Sequence, residues 1–249
     1  MRADCVAVGT NCQLITWYMT PVIDPFILTN RAYGLGASLP SARRWLYVAL
    51  IAAGVIIVAH LLDPWVWAHV RDPKVYERDW GRLLRSAGFL PTWLIVAVAL
   101  WAHDKGSIGW RWRGGLMLLV PAATGALAEV LKLIFRRLRP GDTSPDYVFR
   151  SFLEDPWSNK GLGMPSSHVM VAMGAAVVLA RLFPRVWWMW YLIAIGCGLT
   201  RVLAVAHYAS DVAVGAVTAY VVGDVLSRWG LKKRNQLPRF RVEWNADKK

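Results

Sequence analysis

Six apolar segments joined by polar connections constrain this chain more than any other feature. They cover residues 45–62, 84–102, 116–135, 169–182, 186–206 and 212–226. A helix needs about 20 mostly apolar residues to cross a hydrocarbon core of roughly 30 Å. A backbone in lipid must also satisfy its own hydrogen bonds, which makes each segment a helix. The expected fold class is therefore all-α, an integral membrane bundle of six transmembrane helices. The second segment is the weakest, because Pro91 interrupts it and its start is charged; the fourth is short unless it extends back to Ser166. Composition agrees: 56% of residues are hydrophobic and only 18% charged, against about 25% charged in a soluble domain. Disorder is excluded by the same balance.

The chain carries 29 Lys and Arg against 16 Asp and Glu, for a net charge of +13. An excess of this sign suits anionic lipid or a phosphorylated substrate, with nucleic acid the weakest candidate among so many apolar runs. Lys and Arg outside the segments set the orientation. Residues 1–44 are expected to form a cytoplasmic arm, 45–228 the membrane domain and 229–249 a basic cytoplasmic tail. The tail, with Lys232, Lys233, Arg234, Arg239 and Arg241 among its bases and Arg228 at its border, decides the direction. Both termini then lie in the cytoplasm. The opposing loop over 63–83 balances its bases with Asp63, Asp72, Glu77 and Asp79. Tryptophans near segment ends, such as Trp45, Trp65, Trp187 and Trp229, fit an aromatic belt at headgroup level. Cys5, Cys12 and Cys197 show neither disulfide nor metal spacing and read as free thiols.

Ionisable residues near hydrocarbon are costly and therefore informative. Three clusters stand out: Lys132, Arg136, Arg137 and Arg139 at the end of the third segment; Pro165, Ser166, Ser167 and His168 opening the fourth; and Thr200, Arg201, His207 and Asp211 between the fifth and sixth. In the six-span topology all three fall on the outer side. His207 and Asp211 are spaced so that a carboxylate reaches one imidazole nitrogen and leaves the other as a nucleophile. His168 suits general acid and base work. Lys132, Arg139 and Arg201 supply positive charge, and a helix start at Ser166–His168 offers free N–H groups to an anion. Such a set suits phosphoryl transfer, and no carboxylate cluster with metal spacing accompanies it. Each piece alone has a plainer reading: Lys132 paired with Glu129, the arginines ending a span at the headgroups, His207 and Asp211 as a structural pair.

Together the clusters read Lys132-x6-Arg139-Pro140, Pro165-Ser166-Ser167-His168 and Arg201-x5-His207-x3-Asp211. In this the chain resembles the type 2 phosphatidic acid phosphatase superfamily, over roughly residues 45–228. The resemblance implies His207 as nucleophile forming a phosphohistidine, Asp211 orienting it, and His168 protonating the leaving oxygen and then activating water. It implies that Lys132, Arg139, Arg201, the Ser166 hydroxyl and the Ser167 N–H hold the phosphate, with no metal and no cofactor. Two positions depart from the usual pattern. Ser167 stands where glycine is common, which requires a backbone torsion open to a non-glycine residue. Thr200 stands where serine is common and keeps the hydroxyl.

A site at the outer headgroup level makes a lipid phosphate, reached from the surrounding membrane lipids, the expected substrate. Phosphatidic acid or phosphatidylglycerophosphate, polyprenyl diphosphate and lipid A phosphates remain open. The expected location is a bacterial inner membrane with the site facing the periplasm. The loop over 141–163, with Tyr147, Phe149, Arg150, Phe152, Trp157 and Lys160, reads either as a lid that recognises headgroups or as a packed outer loop. One alternative within the superfamily is a phosphotransferase that passes the group to another alcohol. A different class altogether is a transporter whose path is lined by charges such as Glu129 and Asp224; the clustering at one face speaks against it.

Overall fold

The computed structural model describes residues 42–105, 110–141 and 146–235. The arm expected over 1–44, apart from its last three residues, lies outside them, as do Cys5, Cys12 and the tail beyond 235. Among the described residues seven α-helices run in chain order: α1 (Ala42–His69), α2 (Asp79–Ser86), α3 (Leu90–Asp104), α4 (Trp110–Phe135), α5 (Ser167–Leu182), α6 (Trp187–Leu203) and α7 (Ala209–Asn235). Two isolated β-bridges, Arg137 with Phe149 and Leu138 with Leu162, are the extended pairings among the described residues.

The all-helical class holds. Among the described residues four helices are long and apolar enough to cross a membrane: Trp45–His69, Arg111–Phe135, Pro184–Leu203 and Ala209–Leu231. A fifth crossing needs α2 and α3 together, and they meet at a bend of 66°. The expected count of six full-length spans is thus not met by length and composition alone. Helix α5 has 16 residues, a rise of about 24 Å at 1.5 Å per residue.

Burial explains how so short a helix is kept. Every residue of α5 from Val169 to Leu182 is buried, because α4, α6 and α7 all pack on it. Glycine lets α4 come close. A Cβ at Gly174 would lie 2.5 Å from the Thr124 hydroxyl, and one at Gly125 2.8 Å from a Val171 methyl. Helix α1 is the opposite case. Leu46, Leu50, Ile51, Val55, Ile57, Val58 and Leu61 are all exposed on it, a face of a size that soluble proteins rarely leave open and that acyl chains cover in a membrane.

The break in the second segment differs from the expected one. Pro91 sits in the first turn of α3, where its missing N–H costs nothing. The chain bends instead through Ala87, Gly88 and Phe89, whose N–H groups bond to Leu84, Arg85 and Ser86 carbonyls. The Thr92 hydroxyl and the Trp93 indole N–H cover the Ser86 and Ala87 carbonyls at 2.8 and 2.7 Å.

Two charges are relocated relative to the sequence reading. Asp63, expected in a polar loop, is buried within α1. Arg228, expected with the basic tail, is buried together with Arg181 around Asp224. Asp224 accepts from Arg228 Nε at 2.6 Å and pairs with Arg181. Ser167 and Arg181 lie at opposite ends of α5, so this ion-paired cluster is a helix length from the three motifs.

Candidate active site

The three motifs converge at one end of the bundle, where α4 and α6 finish and α5 and α7 begin. Two helix ends deliver them, and each uses a left-handed residue that is not glycine. Helix α4 stops at Arg136, with φ of 52°. Its N–H bonds to the Lys132 carbonyl at 2.9 Å, the single bond of an αL C-cap. Helix α6 stops at Val205, also with φ of 52°. The Ala206 and Val205 N–H groups bond to the Arg201 and Val202 carbonyls at 3.0 and 2.9 Å, the two bonds of a Schellman motif. A β-branched residue in this region costs about 1–2 kcal/mol. The turn it makes brings His207 back over the helix end.

His207 and Asp211 do not share a helical turn, because α7 begins only at Ala209. Asp211 lies in the first turn, and its Oδ2 accepts from the Tyr208 N–H at 3.0 Å, half of a capping box. The same oxygen is 3.6 Å from His207 Nδ1, an approach just longer than a hydrogen bond. The other oxygen is taken by Arg137: Nε donates to Oδ1 at 3.0 Å, and Nη2 adds a second bond to it. His207 is buried, and that burial pulls its imidazole below the ordinary value of 6.5 despite the opposing pull of Asp211. The ring is therefore neutral at pH 7.

Opposite this pair, Ser166 caps the N-terminus of α5 without using its hydroxyl, which is buried and unpartnered. The N–H groups of Ser167, His168 and Val169 have no intrahelical acceptor by geometry. Ser167 is helical and outside the left-handed region, so serine in place of glycine is accommodated. Lys132 Nζ donates to Ser167 Oγ at 3.0 Å and to Glu129 at 2.8 Å, so its ion pair coexists with a place beside the start of α5. His168 stands in the first turn of α5, its Nε2 buried without a partner and its ring edge-on to Phe89 at 5.1 Å. Arg201 Nη1 donates to the Tyr76 hydroxyl at 2.9 Å, and its Nε is buried and unpartnered. Arg139 is exposed at the rim, close enough for its charge to act on Arg201 and His207.

Sequence reasoning missed the scaffold behind Asp211. Arg137, expected to end a span at the headgroups, is 1% exposed. Besides Asp211 it donates to Ser210 Oγ at 2.7 Å and lies over the Tyr147 and Tyr208 rings at 4.7 and 5.0 Å. Asp63 accepts from the Ser210 N–H at 3.0 Å and from its hydroxyl, so a carboxylate of α1 caps α7 from outside. Tyr147 donates to the same carboxylate at 2.7 Å; burial first and this bond second push its phenol up to about 12. An aspartate followed by proline in an apolar run was the available signal for Asp63.

The loop after α4 is built on Arg136. Its guanidinium donates to the carbonyls of Arg150, Ser151, Glu154 and Pro156. Arg150, expected to meet a headgroup, instead donates to the Lys160 carbonyl at 2.9 Å and to that of Ser158. Phe149, Phe152, Leu153 and Trp157 remain exposed.

Gly88 seats His168. A Cβ there would lie 2.6 Å from His168 Cβ and 3.0 Å from its Cα, so Gly88→Ala must move the imidazole. A displacement of about 1 Å costs on the order of 100-fold in rate. We expect that loss in kcat together with a lowered unfolding temperature in detergent, since part of the clash is with the α5 backbone; a fully active variant refutes the role.

Comparison with known proteins bears on what this site is. Residues 113–235 match the PAP2 superfamily. A lipid A 1-phosphatase of Rhizobium johnstonii is 34% identical, over 79% of this chain and 86% of its own. A lipid A 1-phosphatase of Rhizobium etli is 30% identical, over 69% of this chain and 79% of its own. The fold is similar to the crystal structure of a transmembrane PAP2 type phosphatidylglycerolphosphate phosphatase from Bacillus subtilis, with a TM-score of 0.54 at 24% identity, covering 79% of this chain and 96% of that one. The chain belongs to the PAP2 superfamily. It is a phosphatase, a phosphoric ester hydrolase, built into an integral membrane protein.

Proposed function

We propose that this protein hydrolyses the phosphate ester of a membrane lipid through a phosphohistidine on His207, and that a lipid A-type glycolipid phosphorylated at its 1-position is the substrate. The observation that carries the mechanism is the meeting of a buried neutral imidazole, its held carboxylate and a second imidazole beside unpartnered phosphate donors. His207 Nε2 attacks phosphorus, and the bond to the lipid oxygen breaks as His168 gives that oxygen a proton. Water then attacks the phosphohistidine while His168 takes the proton back, and inorganic phosphate leaves. Lys132, Arg139, Arg201, the Ser166 hydroxyl and the Ser167 N–H hold the phosphoryl oxygens, and Asp211 keeps the His207 ring in register. No metal takes part in these steps.

The substrate reading is supported by the two relatives named for lipid A, and by the exposed aromatic loop beside the site. Six crossings follow if α2 and α3 together form one and α5 another; buried on all sides by protein, α5 need not match the lipid thickness. The bias of Lys and Arg then places both termini in the cytoplasm of a bacterial inner membrane and the site at the periplasmic face. Residues 1–44 and 229–249 flank the catalytic domain. A transport path is disfavoured by Asp224, which two arginines neutralise.

The test is phosphate release by the purified protein in detergent with EDTA, from lipid A, phosphatidylglycerophosphate, phosphatidic acid and undecaprenyl diphosphate in parallel. Release from lipid A, with the 1-phosphate lost, supports the proposal; release from another lipid alone moves the substrate, and inactivation by EDTA removes the metal-free mechanism. The pH profile adds a check on His207. A nucleophile with its pKa held below 6.5 stays neutral to lower pH than an ordinary histidine. The acid limb of kcat/KM, which reports the free enzyme, is expected below pH 6.5. A limb at or above that value contradicts the buried, neutral ring.

A further inference from the structure

Among the described residues outside the three motifs, one cation faces the site without an ion pair. Arg85 closes α2, and its guanidinium lies over the Tyr76 ring at 4.5 Å and the Phe89 ring at 5.5 Å. Those rings are the ones that touch the site: the Tyr76 hydroxyl accepts from Arg201, and the Phe89 ring packs on His168. The Arg85 charge acts on both Arg201 and His168. Its Nε is buried without a hydrogen bond.

Counting charge shows what this adds. Of the cations acting most strongly on the two histidines and Arg201, Lys132 is ion-paired with Glu129, and Asp211 is neutralised by Arg137. Arg139, Arg201 and Arg85 have no ion pair among the described residues. Three unpaired positive charges thus stand at the site, against about two negative ones on a phosphate ester at neutral pH. The surplus is not at random: Arg85 stands beside His168, the residue on the leaving-group side of the phosphorus.

We propose that Arg85 is a specificity-determining residue that binds a second anionic group on the leaving side of the scissile phosphate, so that the enzyme prefers substrates whose leaving group carries its own negative charge. The proposal rests on the hydrolytic reading above. With a lipid diphosphate, the His207 nitrogen bonds to the terminal phosphorus, the bond to the bridging oxygen breaks, and His168 protonates that oxygen. The departing lipid monophosphate keeps its charge against Arg85. Arginine suits the task because its planar donors grip phosphate at two points while its face stays stacked on aromatic rings.

Farnesyl diphosphate and farnesyl phosphate differ by this one group and share a tail, which makes them the probes. The full chain in detergent should show a higher kcat/KM for the diphosphate. Arg85→Gln should lower that value about 10- to 100-fold, the worth of a charge-assisted hydrogen bond, mainly through KM, and leave the monophosphate nearly unchanged. Arg85→Lys should recover part of the loss. Equal losses on both substrates, or none on either, overturn the proposal. If the native protein releases phosphate from neither, release from lipid A decides the hydrolytic reading, and calorimetry with inorganic pyrophosphate and phosphate judges Arg85 separately. Tighter pyrophosphate binding that Arg85→Gln abolishes upholds the second anionic subsite; equal binding of the two anions sinks it.

Discussion

His207→Ala is expected to abolish phosphate release, by roughly 10⁴-fold or more, as removal of a nucleophile does. The side chain is buried at the mouth of the turn between α6 and α7, and alanine fits the space without strain. Folding is therefore expected to survive, which circular dichroism and detergent thermal unfolding can verify. The protein should also lose the acid-labile phosphoryl label that a rapid quench with ³²P-labelled lipid traps in the native enzyme. Retained hydrolysis in a folded His207→Ala protein would falsify the phosphohistidine step. It would then leave His168 as the alternative nucleophile, since that imidazole has its Nε2 free on the other side of the pocket.

Arg137→Met is expected to have the largest effect on stability. The carboxylate of Asp211 is fully buried, and Arg137 binds one of its oxygens through two nitrogens. Removing one partner of such a pair leaves an uncompensated buried charge and costs about 3–5 kcal/mol. Methionine has the volume to fill the space between the Tyr147 and Tyr208 rings, so the loss reports charge and not a cavity. Activity should fall with stability, because a freed Asp211 either takes up a proton or rotates, and its Oδ2 then no longer faces His207. Arg137→Lys should recover part of both, since a point charge cannot reproduce a two-nitrogen grip. Denaturation in detergent compared with phosphate release across the three proteins decides it. Unchanged stability in Arg137→Met means that Tyr208 and the helix N-terminus suffice to hold the carboxylate.

Acid should unfold the protein for a related reason. The His207 imidazole binds a proton in the unfolded chain at about 6.5 but resists it when folded. The unfolded state therefore takes up more protons as pH falls below 6.5, and stability declines in that window. His207→Ala, which has no such group, should lose less stability between pH 7 and 5 than the native protein does.

Much of this molecule was legible in its sequence because hydrocarbon tolerates few solutions. Long apolar runs in lipid have to be helices, so the all-α class and most segment positions followed from composition alone. The site residues could be picked out because ionisable groups there need a reason, and motif spacing tied them to one family. The parts that stayed hidden depended on contacts between segments far apart in the chain. Arg136 and Arg137 are neighbours in sequence with the same chemistry, yet one clamps loop carbonyls and the other clamps Asp211. The left-handed φ at Arg136 sets both directions, and the residue type carries no sign of that torsion. Asp63 lies 147 positions from Ser210, and the proline after it marks an unusual aspartate without indicating which distant helix it caps. Arg85 reads as an ordinary helix-end charge until the α2–α3 bend turns it toward Tyr76 and Phe89. The sequence by itself determined the solvent this chain folds in, the helices that solvent demands, and the side chains from which the proposed chemistry is drawn. Tertiary structure alone decided which cations are consumed by carboxylates and which remain free for a ligand, because charge neutralisation depends on distances that only packing sets.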